Sequence, residues 1–495
     1  TASENEGFNF EAFRKDYLST TVDQLFAGSS IGMTNTGNSE EGGRMGLVGR
    51  VKYDYASRYY IEGSFRYDGS DNFAPGHRWG FFPSVALAWD ITEEPFFKNL
   101  ELKNVNLLKL RGSYGQTGTE SGVNRFGYLS TYSLVENAIC IGGNLYSGFN
   151  EGALVSPELL SWYTRDSYNY GLDYAFFQHR LKGSVDYFFY ITKGGLMSPA
   201  DRYITPLGTA LPQIKSDSEH RREGFEVSAR WSDKVGNDFN YEVGTNMTYY
   251  NNLYVKNVSE SLSALMNPYQ RNTHQTDYYG LLLVDNGLYQ SVDQVLGSPR
   301  RPESTETKLG DIVYQDINGD GKVNSEDKVR YGMPTSPHFT YGVDFLLSYK
   351  GFSLSGLFYG TGKRHMMFGV NTMKAEAQYV KNEYQLDYWT AENTDATFPR
   401  VSLAAGVNGE NNRIESTFYL RNASFFRLKN LTLAYDFKYK LLKNVKWLTA
   451  CRVNLTGSNL FTISGVSDYF DPETTSTNGG YPVSRIYSFG LTVGF

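Results

Sequence analysis

The sequence predicts an all-β protein, a transmembrane antiparallel β-barrel that is incomplete as given. Segment after segment alternates apolar and polar residues with period two. These segments run to about 10–13 residues, the length a tilted strand needs to cross a bilayer, whereas strands in globular domains average about 5–6. The connections between them alternate between shorter and long.

Composition points the same way. Aromatic residues make up 16% of the 495 residues, with 39 Tyr, 32 Phe and 50 Gly, yet the mean hydropathy is −0.44. A chain so aromatic and so hydrophilic must separate its greasy and polar side chains at short range. No stretch approaches the ~20 consecutive apolar residues of a spanning helix. The net charge of −6 argues against nucleic acid, which requires a basic face. Cys140 and Cys451 are too few for a disulfide framework and are expected to be unpaired. The N-terminus TASENEGFNF has neither the basic start nor the apolar run of a signal peptide, so the N-terminus of an exported protein is expected elsewhere.

In chain order, residues 1–42 read as an outer loop, or a loop plus strand remnant, and residues 43–495 as barrel. The first strand falls near Arg44–Asp54. In Leu181–Thr192 one face carries Leu181, Val185, Tyr187, Phe189 and Ile191, and the other carries Lys182, Ser184 and Asp186. Glu223–Trp231 sets Phe225, Val227, Ala229 and Trp231 against Glu226, Ser228 and Arg230. Pro337–Tyr349 turns Phe339, Tyr341, Val343, Phe345, Leu347 and Tyr349 outward, with Thr340, Gly342, Asp344, Leu346 and Ser348 between them. The last segment places Tyr487, Phe489, Leu491, Val493 and Phe495 on one face and ends on an aromatic residue, as an outer-membrane insertion signal does. A soluble sandwich shares the alternation, but not the strand length or the aromatic clusters at segment ends.

Short connections are Tyr55–Ser57, Phe176–His179, Asp233–Asp238 and Tyr349–Gly351, and two of intermediate length, near Ile91–Asn104 and Lys438–Lys446, are expected to hold a helical turn each. The long ones are Asp68–Arg78, 117–160, 193–222, 251–336, 361–416 and 461–483. About thirteen strands result, and an odd number cannot close a bacterial barrel. The chain is therefore expected to start partway round, its missing strands coming from another piece.

Several stretches resemble the SusC/RagA-type outer-membrane proteins of Bacteroidetes. They include LRGSYGQTGTE (110–120), GFFPSVALAWDITEEPFF (80–97), GDIVYQDINGDGKVNSEDKVRYG (310–332), FYLRNASFFRLKNLTLAYDF (418–437) and 458–495. The resemblance runs almost the whole length in matching order. It implies a 22-stranded TonB-dependent barrel in the outer membrane, of which this chain supplies the C-terminal part. It also implies an N-terminal plug, a SusD-like lipoprotein lid, the TonB–ExbB–ExbD complex as energy source, and an oligosaccharide or peptide as cargo.

One motif suits a metal. Asp316, Asn318, Asp320 and Asp327 stand at positions 1, 3, 5 and 12 of a twelve-residue calcium-loop pattern, with the Lys322 carbonyl at 7, Asn324 at 9 and Gly321 at the sharp turn. Hard cations need several converging oxygens, and this spacing wraps a loop round one ion. Asp at position 12 reaches less far than the usual Glu, and no helical periodicity flanks the loop, so it is not an EF-hand. The readings are structural Ca²⁺, another hard cation such as Mg²⁺, or an acidic Gly-rich turn without an ion.

No enzymatic constellation stands out. The histidines His77, His179, His220, His274, His338 and His365 are scattered without ligand spacing. Asp173, Asp186, Glu226, Glu242 and Asp344 read as ordinary groups of a wet lumen, and Arg221–Arg222 and Arg300–Arg301 as solvated loop charges, with anionic substrate or lipopolysaccharide as the alternative. Tyr128–Tyr132, Tyr269–Tyr279 and Tyr379–Trp389 offer aromatic faces for sugar, peptide or loop packing. The functional expectation is active import of oligosaccharides. Its alternatives are oligopeptide import and a passive porin, and a barrel enzyme is disfavoured for want of a nucleophile–base pair.

Overall fold

The computed structural model describes the chain apart from residues 18, 20, 23, 124, 126, 127, 130, 131, 152–159, 198–213, 259, 261, 273–275, 305, 368–385, 402–410, 467–469 and 475–482. Among the described residues, fourteen strands form one antiparallel sheet in which each pairs with the next of the fourteen along the chain. They are β1 (Ala2–Phe13), β2 (Thr34–Tyr55), β3 (Tyr59–Ser70), β4 (Trp79–Asp90), β5 (Val105–Thr119), β6 (Tyr163–Phe176) and β7 (Leu181–Lys193). There follow β8 (Glu219–Val235), β9 (Phe239–Lys256), β10 (Phe339–Tyr349), β11 (Phe352–Gly362), β12 (Phe425–Asp436), β13 (Ala450–Ser464) and β14 (Ile486–Gly494).

The count of thirteen is corrected to fourteen by β1, which pairs with the first part of β2 from Ala2↔Met45 to Phe13↔Thr34. An even number removes the parity argument for a missing piece. β1 and β14 are the edges of the sheet.

The sheet has a greasy face and a polar face. On β2, Met45, Leu47, Val51 and Tyr53 stand exposed, and across from them on β3 so do Ile61, Phe65 and Tyr67. Phe489 and Leu491 of β14 are 69% and 59% exposed. An exposed apolar patch running across a whole sheet is what a lipid-facing surface requires.

The connections of two to four residues all lie at one end, together with the two between β4 and β5 and between β12 and β13 that hold helical turns. β10 and β11 are joined by Lys350 and Gly351, both with positive φ (46° and 86°), the two-residue turn whose twist matches the strands. Between β4 and β5 come a 3₁₀ turn (Ile91–Glu93) and a helical turn (Pro95–Lys98), and a 3₁₀ turn (Phe437–Tyr439) follows β12. The two 3₁₀ turns start alike: Asp90 and Asp436 each accept the N–H two residues on, from Thr92 and Lys438. The long connections stand at the other end and carry short strand pairs of their own, including a hairpin, 132–141 with 144–151.

Candidate functional site

The polar face is organised by two ion-pair clasps of the same design. Arg111 of β5 stands level with Gly171 of β6, which stands level with Asp186 of β7. Its guanidinium crosses over the glycine to reach Asp186 at 3.0 Å and holds Asp173 of β6 through two bonds of 2.9 Å. Arg230 of β8, Gly244 of β9 and Asp344 of β10 repeat the arrangement, with Asp344 at 3.1 Å and Glu242 of β9 as the second carboxylate.

The glycines are required by this crossing. A Cβ on Gly171 would lie 2.7 Å from the Arg111 guanidinium, and one on Gly244 would lie 2.8 Å from that of Arg230. Asp173, Asp186, Glu242 and Asp344 are thus paired wall groups, and Glu226 faces the same side without joining a clasp. A third node stands on β12, where Arg427 (2% exposed) binds Asp471 at 2.9 Å and also Glu473, both from the last outer loop.

Above the wall, three outer loops share one core. Leu282, Leu283, Leu288, Ile312 and Tyr314 come from the β9–β10 connection, Met366, Met367, Tyr419 and Leu420 from the β11–β12 connection, and Val466 from the last. Polar pins cross the same junction. Tyr314 donates to the Asn411 carbonyl at 2.9 Å, Asn412 bonds both Ile312 N–H and Asp311, and Arg400 meets the fully buried Asp311 at 2.7 Å. Burial raises the Tyr314 and Tyr419 hydroxyls, which therefore stay protonated donors. The described parts of these loops thus pack into one continuous outer surface.

The metal-motif residues lie on this surface. Asp327 is fully buried and its carboxylate accepts the N–H groups of Ile317 (2.9 Å), Asn318 (3.2 Å) and Asn324 (2.8 Å). The two oxygens of Asp316 accept Gly319 N–H (2.7 Å) and Gly321 N–H (2.8 Å), and both glycines have positive φ. Asn318 accepts Asp320 N–H, Asp320 accepts Lys322 N–H, and Asn324 accepts Glu326 N–H. Val323 is buried and its N–H donates to Arg300 O. Among the described residues no group of three or more His, Cys, Asp or Glu is gathered as a ligand set.

Other expected features fall differently. Arg221 and Arg222 belong to β8, not to a loop, and they point to opposite faces. Arg221 stacks on Phe189 of the apolar face, and Arg222 on Tyr190 and Tyr250 of the polar face. Arg301 pairs with Glu303. Of the aromatic clusters, Tyr279 and Trp389 pack on the loop core, Tyr278 lies against Arg330 at 4.6 Å, and Tyr269 is exposed. Residues 130, 131, 273–275 and 379–385, with His274 and Tyr379 among them, lie outside the described residues. Cys140 and Cys451 are both free. The residues missed in sequence were Arg111 and Arg230. A solitary arginine at a polar position of an alternating strand, with acids at matching positions on the next strands, was their signal.

A family model described as TonB dependent receptor-like, beta-barrel, matches residues 3–460. The chain is 28% identical over 504 residues to TonB-dependent receptor P3 of Formosa agariphila, covering 94% of this chain and 47% of that protein. It is 28% identical over 463 residues to TonB-dependent receptor SusC of Bacteroides thetaiotaomicron, covering 90% and 43%. The chain spans about half the length of the curated relatives it matches. Its fold is similar to the RagAB peptide importer in the 'open-open' state (TM-score 0.78, 21% identity, all of this chain and 52% of that one). The structure of the RagAB peptide transporter gives a TM-score of 0.75 at 22% identity over the same shares.

Proposed function

Because the chain belongs to the TonB dependent receptor-like β-barrel family, and so to the outer membrane, we propose that it forms part of the wall and outer mouth of an active importer of oligosaccharides. The greasy face is then the lipid face, and the clasped polar face lines the lumen. The observation that carries this reading is the one-sided build: every long connection stands at one end, and three of them fuse through a common core.

A SusD-like lipoprotein seated on that platform and the TonB–ExbB–ExbD complex are the partners this reading requires, together with a plug. Tyr269 is exposed and offers a ring face of the kind that stacks on sugars, held by Asn267 and Gln270, whose amides bond the backbone of residues 325 and 326. Oligopeptides are the second reading, favoured by the fold likeness to the peptide importer RagAB. Uptake of labelled oligosaccharides and oligopeptides by cells carrying the whole transporter, with and without a proton motive force, tests both. Energy-dependent uptake of sugars alone supports the first reading, and uptake that ignores the energy source overturns import for either cargo.

The loop Asp316–Asp327 is proposed to hold Ca²⁺, with Mg²⁺ as the alternative. Carboxylate, amide and carbonyl oxygens are the donors a hard cation takes. The backbone bonds to Asp316, Asn318, Asp320 and Asp327 fix these groups in a closed loop and leave further lone pairs on the oxygens. The ion would act structurally, stiffening a loop of the platform.

A further inference from the structure

One belt of the polar face differs from the clasps. Near the outer ends of β6 to β10, Arg165, Tyr190, Arg222, Tyr250 and His338 follow one another across five neighbouring strand positions. Tyr190 stands level with Arg222, and Tyr250 N–H donates to His338 O at 3.0 Å. The Arg165 guanidinium lies 4.5 Å from the Tyr190 ring centre. That of Arg222 lies 5.7 Å from Tyr190 and 4.5 Å from Tyr250. The Tyr250 and His338 rings are 4.8 Å apart. Cations and rings thus alternate along the wall.

The arginines of the clasps, like Arg50 with Glu62 and Arg427 with Asp471, are each neutralised by a carboxylate. Arg165 and Arg222 have no carboxylate partner among the described residues. Arg222 spends its Nε on the Asn252 amide oxygen, and Arg165 turns its Nε to Thr192 Oγ1 at 3.4 Å. The acid nearby, Asp277, is engaged by Asn252 and by His338 at 3.0 Å. Each guanidinium therefore lies against aromatic ring surface, Arg165 over one ring and Arg222 between two, while its Nη groups make no described hydrogen bond.

We propose that this belt is a subsite for an anionic group, a carboxylate or sulfate, on the imported molecule. A planar two-donor edge matches a carboxylate or sulfate bidentately, and stacking fixes the edge before the ligand arrives. A polar, partly enclosed wall strengthens such a pair relative to bulk water. The proposal rests on the import reading and adds to it a preference for acidic cargo.

The test measures binding to the whole purified transporter. The probes are an oligogalacturonide, its methyl-esterified form, an oligoglutamate peptide and a neutral peptide of equal length. At least tenfold tighter binding of an acidic probe than of its neutral match is expected, falling as salt rises. Preference for the acidic sugar or for the acidic peptide identifies the source of the anion. Arg165→Gln with Arg222→Gln should abolish the preference and leave neutral binding unchanged, and Arg222→Lys should restore only part of it.

Equal binding of acidic and neutral probes by the wild-type protein overturns the proposal even where the variants fail to fold. So does an unchanged preference in a folded double variant. Loss of energy-dependent uptake for every cargo, with acidic binding intact, would instead sink the import reading alone.

Discussion

The backbone N–H of Met333 donates to Nδ1 of His365 at 2.8 Å, tying the β9–β10 connection to the β11–β12 connection just above the barrel wall. Nδ1 must be unprotonated to accept, and burial holds His365 below its ordinary value. A depressed value means that the unfolded chain binds the proton first. The stabilisation is therefore complete above about pH 6.5, the ordinary histidine value, and is lost as pH falls through the lower folded value. Protection of the Met333 amide from hydrogen exchange, relative to its intrinsic rate at each pH, should fall on acidification through this window. His365→Asn, which keeps an acceptor and loses the titration, should flatten that dependence.

The buried and half-exposed ion pairs should respond differently to loss of their arginine. Arg427→Met strands Asp471, which is largely buried, and should cost about 3–5 kcal/mol and detach the last outer loop. Arg230→Met removes a guanidinium that is 38% exposed, so water screens the loss, and about 1 kcal/mol is expected. Denaturant unfolding of each variant in detergent measures both, and similar costs would contradict the account.

The barrel was legible in sequence wherever lipid selects the pattern. Val343, Phe345 and their alternating neighbours announced β10 because each outward residue must be greasy. β1 was hidden because Glu4 and Glu6 stand on the same face as Phe8 and Phe10 and break its apolar rhythm. The start of β8, Glu219-His220-Arg221-Arg222, was read as loop for the same reason: a strand that continues beyond the bilayer has no lipid to satisfy. The four clasp carboxylates were placed correctly on the polar face, but their arginines were not paired with them, since register between strands is not written in either strand alone. For Tyr279 and Trp389 the sequence left both cargo contact and loop packing open, because the core they pack against is assembled from loops far apart in sequence.

The loop Asp316–Asp327 separates a structural effect from an ionic one. Asp327→Ala leaves three backbone N–H groups without their acceptor and should cost about 1–3 kcal/mol locally with or without metal. Asp320→Ala spares those bonds, losing only the exposed one from Lys322 N–H, and should act chiefly by weakening the response to Ca²⁺. Chelation of the wild-type protein should speed proteolysis around residues 316–327, and added Ca²⁺ should reverse this. Proteolysis that is blind to chelator would count against the ion.

The central claim is that one face of the sheet meets lipid and the other meets a wet lumen. Single cysteines along β10, reacted in membranes with a lipid-soluble and a water-soluble reagent, address it most directly. Positions 341, 343, 345 and 347 should take the lipid-soluble reagent, and positions 340, 342, 344 and 348 the water-soluble one. The opposite pattern, or no alternation, would contradict the account.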